Sequence, residues 1–142
     1  MQFQACVDQY SQVSRVFCEG EEARRPTNSW ESQCIKELSD YVIVNLNRVA
    51  FDRKAAKQYK IHTKVVFPQT PVDMGANIDD AYEAMAVLEH TGQNTERGHW
   101  TCTKKMNGKW WFCNDAEVSE LSTEQLQRHQ SASMIILKRI SR

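Results

Sequence analysis

Apolar residues near the N-terminus recur at three- and four-residue intervals. This spacing is typical of one face of an amphipathic helix, and it predicts a helix over residues 3–17. The next segment, residues 18–33, is polar and interrupted by Gly20 and Pro26, which predicts a solvated loop or an irregular connection. The apolar positions of the predicted helix are Phe3, Cys6, Val7, Tyr10, Val13 and Phe17.

The middle of the chain has a pattern typical of strands. Residues 41–51, YVIVNLNRVAF, are rich in β-branched side chains and largely apolar on both faces, which predicts one buried central strand. The basic run RKAAKQYK at 53–60 predicts a solvated loop beside that strand. The run KVVF at 64–67, stopped by Pro68, predicts a short strand before a segment rich in turn formers.

Residues 82–90, YEAMAVLEH, leave the type of element open. Ala, Glu, Met and Leu are good helix formers, so local propensity alone favours a helix. The segment is short, however, and it has no clear stripe with the helical period.

The strongest local signal is a β-hairpin that begins at His99. Two runs, HWTCTKK at 99–105 and KWWFC at 109–113, flank an Asn107-Gly108 pair. An Asn-Gly pair between such runs is typical of a tight hairpin turn. Aromatic residues suit half-buried strands, so we expect the Trp-Trp-Phe part of the second run to pack at the core and the sheet edge.

Two further elements are predicted after the hairpin. Ser122, with Gln125 three residues later, predicts a capping box at the start of a short helix. The run SMIILKRI at 133–140 predicts a closing strand. Strands therefore dominate without an alternating β-α-β order, which indicates an α+β fold with a mainly antiparallel sheet and short helices.

Size and charge restrict the functional classes. With 142 residues, 41% hydrophobic and 25% charged, the chain fits one globular domain. Its 18 basic and 18 acidic residues cancel, so no overall field draws it to nucleic acid or an anionic membrane. No apolar run is long enough for a membrane span, and the N-terminus does not resemble a signal peptide. We expect an intracellular protein, in the cytoplasm or nucleus, with no nucleic-acid or membrane partner.

The cysteines indicate neither disulfides nor a metal site. Their number is odd and they are scattered, which is typical of reduced thiols rather than of a secreted disulfide framework. No C-x-x-C pair is present, so we expect no metal and no cofactor. The five are Cys6, Cys18, Cys34, Cys102 and Cys113.

Candidate chemistry is concentrated around the hairpin. Gly98 directly precedes His99, which leaves room for a substrate strand close to an imidazole base. Asn114 and Asp115 follow the second run, and a tight turn can bring them next to the start of the first. A cysteine protease needs a histidine that accepts the thiol proton and an oxygen on the other ring nitrogen that fixes its tautomer. His99 and Asn114 are the candidate pair, with Asp115 as an alternative or auxiliary acceptor.

The same region resembles a known family, the ubiquitin-specific proteases. YEAMAVLEHTGQNTERGHW resembles a Tyr-led strand that ends in His-x-Gly, followed by a loop and Gly-His-aromatic, and GKWWFCNDAEV is similar to the family's next block. YVIVNLNRVAFD, VVFPQTPVDM and SASMIILKRIS resemble three further blocks in the family's order. The resemblance implies the C-terminal half, or palm, of a papain-like cysteine protease domain.

The resemblance also implies residue roles. His99 would be the general base, Asn114 the orienting residue and Asp115 a polar support. Leu46 and Arg48 would lie on a core strand, away from the chemistry. The channel for the C-terminal Gly-Gly tail of ubiquitin would be lined by His90, Gly92, Gly98 and Trp100.

No nucleophile is assigned. The family's cysteine lies in a Gly-x-x-Cys-aromatic box at the start of a helix, and no segment of this chain matches that box. Cys6 lacks the residues that precede the family's cysteine, and Cys18 lies beside three glutamates, which disfavour a thiolate. We therefore expect residues 1–142 to form a single partial domain, inactive alone, whose cysteine lies upstream or on another chain.

Two functions stay open. The first is half of a deubiquitinating protease, and the second is a catalytically inactive scaffold that binds ubiquitin, a ubiquitin-like modifier or another protein. In both cases half of a papain-like fold should leave an apolar face uncovered, so we expect a second protein chain or self-association at that face. His62 and His129 have no comparable context, and we expect both to be solvated.

Overall fold

The structure is a computed structural model that describes residues 1–10, 14–18, 27–31, 35, 37–68, 70–74, 81–94, 97–129 and 131–140. Within these ranges lie two helices, α1 (Phe3–Tyr10) and α2 (Thr123–Leu126), neither of which is long and apolar enough to cross a membrane. The strands are β1 (Ser14–Cys18), β2 (Thr27–Glu31), β3 (Tyr41–Asn45), β4 (Val49–Asp52), β5 (Lys57–Lys60), β6 (Val72–Asp73), β7 (Ala81–Thr91), β8 (His99–Met106), β9 (Lys109–Asn114), β10 (Glu117–Leu121) and β11 (Ala132–Ile140).

One antiparallel sheet organises the described part of the chain. Its strands lie in the order β10-β9-β8-β7-β11-β3, and the short β6 pairs with the start of β7. The hairpins β1-β2 and β4-β5 form two separate two-stranded sheets. The predicted α+β class with a mainly antiparallel sheet is confirmed.

One face of the main sheet forms the hydrophobic core. Val87 on β7 lies opposite Ile135 on β11, and both side chains are fully buried. Phe3 and Val7 of α1 belong to the same buried cluster, because residues four positions apart share one side of a helix. Leu126 of α2, from the C-terminal part of the chain, packs in the same buried cluster.

The prediction of one buried central strand over residues 41–51 is wrong. The chain forms β3 at the edge of the sheet, leaves the sheet, and then forms β4 in a separate hairpin. Along β3, Val42 packs partly against the core, whereas Tyr41 and Ile43 are 58% and 63% exposed. Strand side chains alternate between faces, and only one face of this edge strand is covered.

The predicted N-terminal helix is confirmed only as far as Tyr10. Phe17, predicted on the same helix, lies in β1, which pairs with β2, and Val13 lies outside the described residues. The segment predicted as a loop at residues 18–33 therefore contains a strand. Cross-strand hydrogen bonding in this hairpin outweighs the helical spacing, which is a local signal only.

Three other local predictions need correction. The basic run at 53–60 is not wholly a loop, because its second half is β5, paired with β4. In the predicted KVVF strand, Val65 and Val66 make only isolated bridges. Leu46 and Arg48 lie between β3 and β4 rather than on a core strand.

Residues 82–90, whose type was open, lie within β7. This strand is enclosed by β11 on one side and β8 on the other, so two ladders of hydrogen bonds outweigh the helix propensity of its residues. β10, which the sequence did not predict, adds a further strand after β9.

The hairpin, the capping box and the closing strand are confirmed. Asn107 and Gly108 have φ values of 51° and 77°, as a tight turn with two left-handed residues requires. Ser122 and Gln125 form both hydrogen bonds of the capping box at α2. The predicted closing strand is β11. Trp110 packs edge-on against Phe67 with ring centroids 4.9 Å apart, which confirms its expected packing role.

The prediction that His129 is solvated is wrong, whereas His62 is exposed as predicted. The His129 side chain is 18% exposed, and its Nδ1 lies 2.6 Å from Oε2 of Glu89. The other carboxylate oxygen of Glu89 accepts a hydrogen bond from the backbone N–H of Ser131 at 2.9 Å. Glu89 therefore attaches the connection between α2 and β11 to the central strand β7.

We expect Glu89→Ala to lower the free energy of unfolding by about 3 kcal/mol, because it leaves His129 and the Ser131 N–H without a buried partner. Glu83→Ala is a matched control on the same strand. Glu83 pairs with Lys105 near the surface, so its loss should cost less than about 1 kcal/mol. Urea denaturation of both variants checks this difference, and equal costs would contradict it.

Candidate active site

The structure brings His99 and Asn114 together. The β8-β9 register places Cys102 opposite Cys113, so Asn114 lies diagonally across from His99 on the same face. Nε2 of His99 and Oδ1 of Asn114 are 2.5 Å apart. In the described part of the chain, no hydrogen bond to Nδ1 of His99 is present.

A second tight turn fixes the end of β9. Asn114 pairs with Glu117 of β10, and the turn between them starts at Asp115, whose φ is 51°. This turn carries Oδ2 of Asp115 to 3.9 Å from Nε2 of His99. The side chain of Asp115 is 80% exposed and that of His99 49%, so water screens this pair. The three residues predicted as a catalytic group are therefore neighbours.

The four predicted channel residues also lie together, at the adjacent ends of β7 and β8. His90 is paired with Trp100 in the β7-β8 register, and their rings contact each other with centroids 4.9 Å apart. Trp100 is half exposed. The chain between them returns through Gly92 and Gly98, which pack against each other.

Residue 98 is a glycine because its backbone passes close to the His90 ring. A Cβ atom on Gly98 would lie 2.1 Å from Nε2 of His90 and 2.6 Å from the carbonyl oxygen of Thr91. A Cβ atom on Gly92 would lie 2.5 Å from the carbonyl oxygen of Arg97. Neither position has room for a side chain, so both glycines hold the connection close to the strand ends.

Lys60 of β5 extends into this region, where no sequence pattern predicts it. Its ammonium group lies 3.0 Å from Nδ1 of His90 and donates to the carbonyl oxygens of His90 and Gly92 at 2.8 and 2.9 Å. Burial, and then the charge of Lys60, lower the pKa of His90. Burial, and then the charge of Arg48, lower the pKa of Lys60.

Arg48 stabilises the backbone next to Lys60 and His90. Its guanidinium donates from Nε to the carbonyl oxygen of Ala132 at 2.8 Å, and it also donates to the carbonyl oxygen of Thr63. Burial lowers the pKa of Arg48. The connection between β3 and β4 is thus attached to the start of β11.

Among the cysteines whose side chains the structure describes, Cys6, Cys102 and Cys113, none is hydrogen-bonded to His99. The Sγ of Cys6 contacts Sδ of Met1 at 3.5 Å, within its own end of the chain. Burial raises the pKa of Cys102, and so does Cys113 on the adjacent strand, which disfavours a thiolate there. In the same described ranges, no group of three or more His, Cys, Asp or Glu side chains is placed to hold a metal ion.

Residues 2–137 match the model of the family described as ubiquitin carboxyl-terminal hydrolase. The chain belongs to the ubiquitin carboxyl-terminal hydrolase family. The match extends from α1 to β11 and so includes both groups of candidate residues. The family resemblance of the five sequence blocks is confirmed.

Curated relatives of this hydrolase-family chain are much longer proteins. Ubiquitin carboxyl-terminal hydrolase cyk-3 of Caenorhabditis elegans is 32% identical over 110 residues, which are 74% of this chain and 9% of the relative. Ubiquitin carboxyl-terminal hydrolase 26 of Arabidopsis thaliana is 28% identical over 137 residues, which are 89% of this chain and 12% of the relative. The chain spans about a tenth of the length of these relatives.

Solved structures show the same fold for the hydrolase-family chain. A chain of the yeast SAGA DUB module matches with a TM-score of 0.81 at 19% identity, over 99% of this chain and 33% of that one. A SAGA DUB module bound to monoubiquitin matches with a TM-score of 0.80, also at 19% identity, over 99% of this chain and 33% of that one. The predicted palm half of a papain-like cysteine protease fold is confirmed.

We expect Gly98→Ala to displace the His90 ring, because the new methyl group would overlap Nε2. Displacement of a packed group by an added methyl group should lower the free energy of unfolding by about 1–3 kcal/mol. The NMR signals of the His90 and Trp100 side chains should shift, whereas those of His129, which packs against Phe112, should not. Unchanged His90 signals would contradict this packing.

Proposed function

We propose that this chain carries the general-base half of a deubiquitinating cysteine protease domain. In this proposal His99 accepts the proton of a cysteine thiol and Asn114 orients the imidazole. The observation that carries the proposal is the 2.5 Å contact between Nε2 of His99 and Oδ1 of Asn114.

The chemistry follows from the donor and acceptor groups. Oδ1 of a carboxamide can only accept a hydrogen bond, so the proton of the neutral His99 ring is on Nε2. Nδ1 then has its lone pair available and can accept the thiol proton. The thiolate attacks the carbonyl carbon of the last glycine of the ubiquitin tail, and the imidazolium gives its proton to the departing amine, which leaves a thioester. Water then hydrolyses the thioester, which releases the tail and restores the thiol. Asp115 adds a small, solvent-screened stabilisation of the imidazolium.

The nucleophile belongs to a part of the domain other than residues 1–142 in this proposal, either upstream or on another chain. The matched solved chains are about three times longer, which leaves room for such a part in the family. A mainly apolar groove of about 720 Å³ between α1 and β3 is a suitable surface for it. Ile35, Leu38 and Val42 line this groove beside exposed Ile43.

The substrate in this proposal is a ubiquitin conjugate inside the cell, in the cytoplasm or nucleus. A groove of about 340 Å³ is lined by His90, Gly98 and Trp100, among others, and two of these residues flank His99 in the chain. Its glycine and flat aromatic ring suit an extended tail without side chains, such as the Gly-Gly end of ubiquitin. One matched structure contains monoubiquitin, which supports ubiquitin as the ligand.

A second candidate function is an inactive scaffold that binds ubiquitin, a ubiquitin-like modifier or another protein. It is favoured by a half-exposed Trp100 in the wall of the groove, since an exposed aromatic ring can contact a partner without catalysis. Binding through the same groove would then persist without catalysis.

Turnover of a fluorogenic ubiquitin C-terminal amide by the longest natural protein containing this chain tests the proposal. We expect His99→Ala to lower kcat by a factor of about 10³ or more, since the general base is lost. Asn114→Ala should lower kcat by a factor of about 10², and Asn114→Asp should retain most activity because it keeps the acceptor oxygen. His62→Ala is the control for loss of an exposed histidine and should leave kcat unchanged.

The outcomes separate the two candidates. Activity that survives His99→Ala contradicts the proposed base. Ubiquitin binding without turnover in the unsubstituted protein favours the scaffold, and absence of both contradicts both functions.

A further inference from the structure

The ammonium group of Lys60 has a complete set of acceptors. An ammonium has three N–H donors, and Lys60 faces three acceptors at 2.8 to 3.0 Å: Nδ1 of His90 and the carbonyl oxygens of His90 and Gly92. The acceptors lie 30 and 32 residues from Lys60 along the chain. One side chain of the β4-β5 hairpin thus holds the point where β7 ends.

The contacts of Lys60 and Arg48 do not favour a role in binding an anion. Arg48 and Lys60 both line the neighbouring groove of about 330 Å³, and no acidic residue is among the groove's described lining residues. Their donors, however, are directed to main-chain carbonyls, Arg48 to those of Thr63 and Ala132. Two cations that already donate to the backbone are suited to hold the chain in place.

The contact with Lys60 determines the tautomer of His90. Because the ammonium only donates, Nδ1 of His90 must accept, and the neutral ring carries its proton on Nε2. Nε2 lies beside Gly98, 2.1 Å from the position that a Cβ atom would take. The N–H of His90 is therefore at the wall of the groove formed by Gly98 and Trp100.

We propose that Lys60 is a positioning residue that holds His90 as an Nε2–H donor for a main-chain carbonyl of the bound tail. This inference rests on the proposed function and names a further residue for it. Lys60 makes the channel suited to an extended backbone, whose carbonyl oxygens are acceptors without charge. Lys60 itself does not contact the tail.

Binding of the tail to His90 should depend on pH. The charged groups near the His90 ring are Lys60 from β5 and, behind it, Arg48 from the β3-β4 connection. Glu89, next to His90 in sequence, is bound to His129 and Ser131 and does not offset them. Burial lowers the pKa of His90, and the charge of Lys60 lowers it further, because protonation would place an N–H against the ammonium. As pH falls through that lowered pKa, the Lys60 contact should break and tail binding should weaken.

The first test is the tautomer and titration of His90, measured by long-range ¹H–¹⁵N NMR. In the unsubstituted protein we expect Nε2–H and a pKa below the ordinary value for histidine. Lys60→Met should raise the pKa of His90 and give a mixture of tautomers, and Lys60→Gln should give the same rise with a smaller packing change. Lys57→Met, an exposed lysine on the same strand, is the matched control and should change neither quantity.

The second test is the affinity for ubiquitin and for ubiquitin without its two C-terminal glycines. We expect Lys60→Met to weaken binding of intact ubiquitin about tenfold, the loss of roughly one hydrogen bond to the tail. Its affinity for the truncated form should equal that of the unsubstituted protein.

These outcomes distinguish the inference from the proposed function. An Nδ1–H tautomer in the unsubstituted protein, or an unchanged His90 pKa in both Lys60 variants, overturns the inference. An equal loss of affinity for intact and truncated ubiquitin also overturns it. The expected change at His90, with no ubiquitin binding by any form, supports the Lys60 contact and contradicts the proposed function.

Discussion

The register of the β8-β9 hairpin is the constraint on which the candidate site depends. A shift by one residue would move Asn114 to the opposite face of the sheet and separate it from His99. Two features oppose such a shift. The turn at Asn107 and Gly108 fixes the pairing at one end, and the turn that begins at Asp115 fixes β9 at the other. The exposed pair at the end of the hairpin is thus positioned by local backbone geometry rather than by burial.

The core holds the second half of the site in place. β7 is enclosed by β8 and β11, so its last residues, which include His90, are held at a fixed position beside His99. Beyond the strand ends, main-chain carbonyls would lack partners in the sheet. Lys60 and Arg48 supply donors to several of them. Core packing, strand pairing and the cations Lys60 and Arg48 together fix the wall of the groove that is lined by His90, Gly98 and Trp100.

The sequence predicts best where the signal is local. The Asn-Gly turn and the Ser122 capping box each depend on residues a few positions apart, and both are confirmed. The candidate pair was identified for the same reason, since a hairpin joins His99 and Asn114 within fifteen residues. Its catalytic role stays a proposal.

Features that depend on distant partners could not be predicted in this way. β7 has residues that favour a helix, and only pairing with β11, far along the chain, makes it a strand. β3 is apolar enough for a central strand but lies at an edge, because strand order is not encoded in any single segment. Lys60 belongs to a charge run that is typical of a solvated loop, and its acceptors are 30 residues away. Glu89 and His129 are 40 residues apart.

The most direct test of His99 as a general base is the position of the proton on its ring, observed by ¹⁵N NMR at a pH where the ring is neutral. We expect a proton on Nε2 that is donated to Oδ1 of Asn114, with Nδ1 unprotonated and available as a base. In Asn114→Ala this preference should weaken. A proton on Nδ1 in the unsubstituted protein would contradict the proposed role of His99, because the lone pair would then be on Nε2, which faces Asn114, and Nδ1 could not accept the thiol proton.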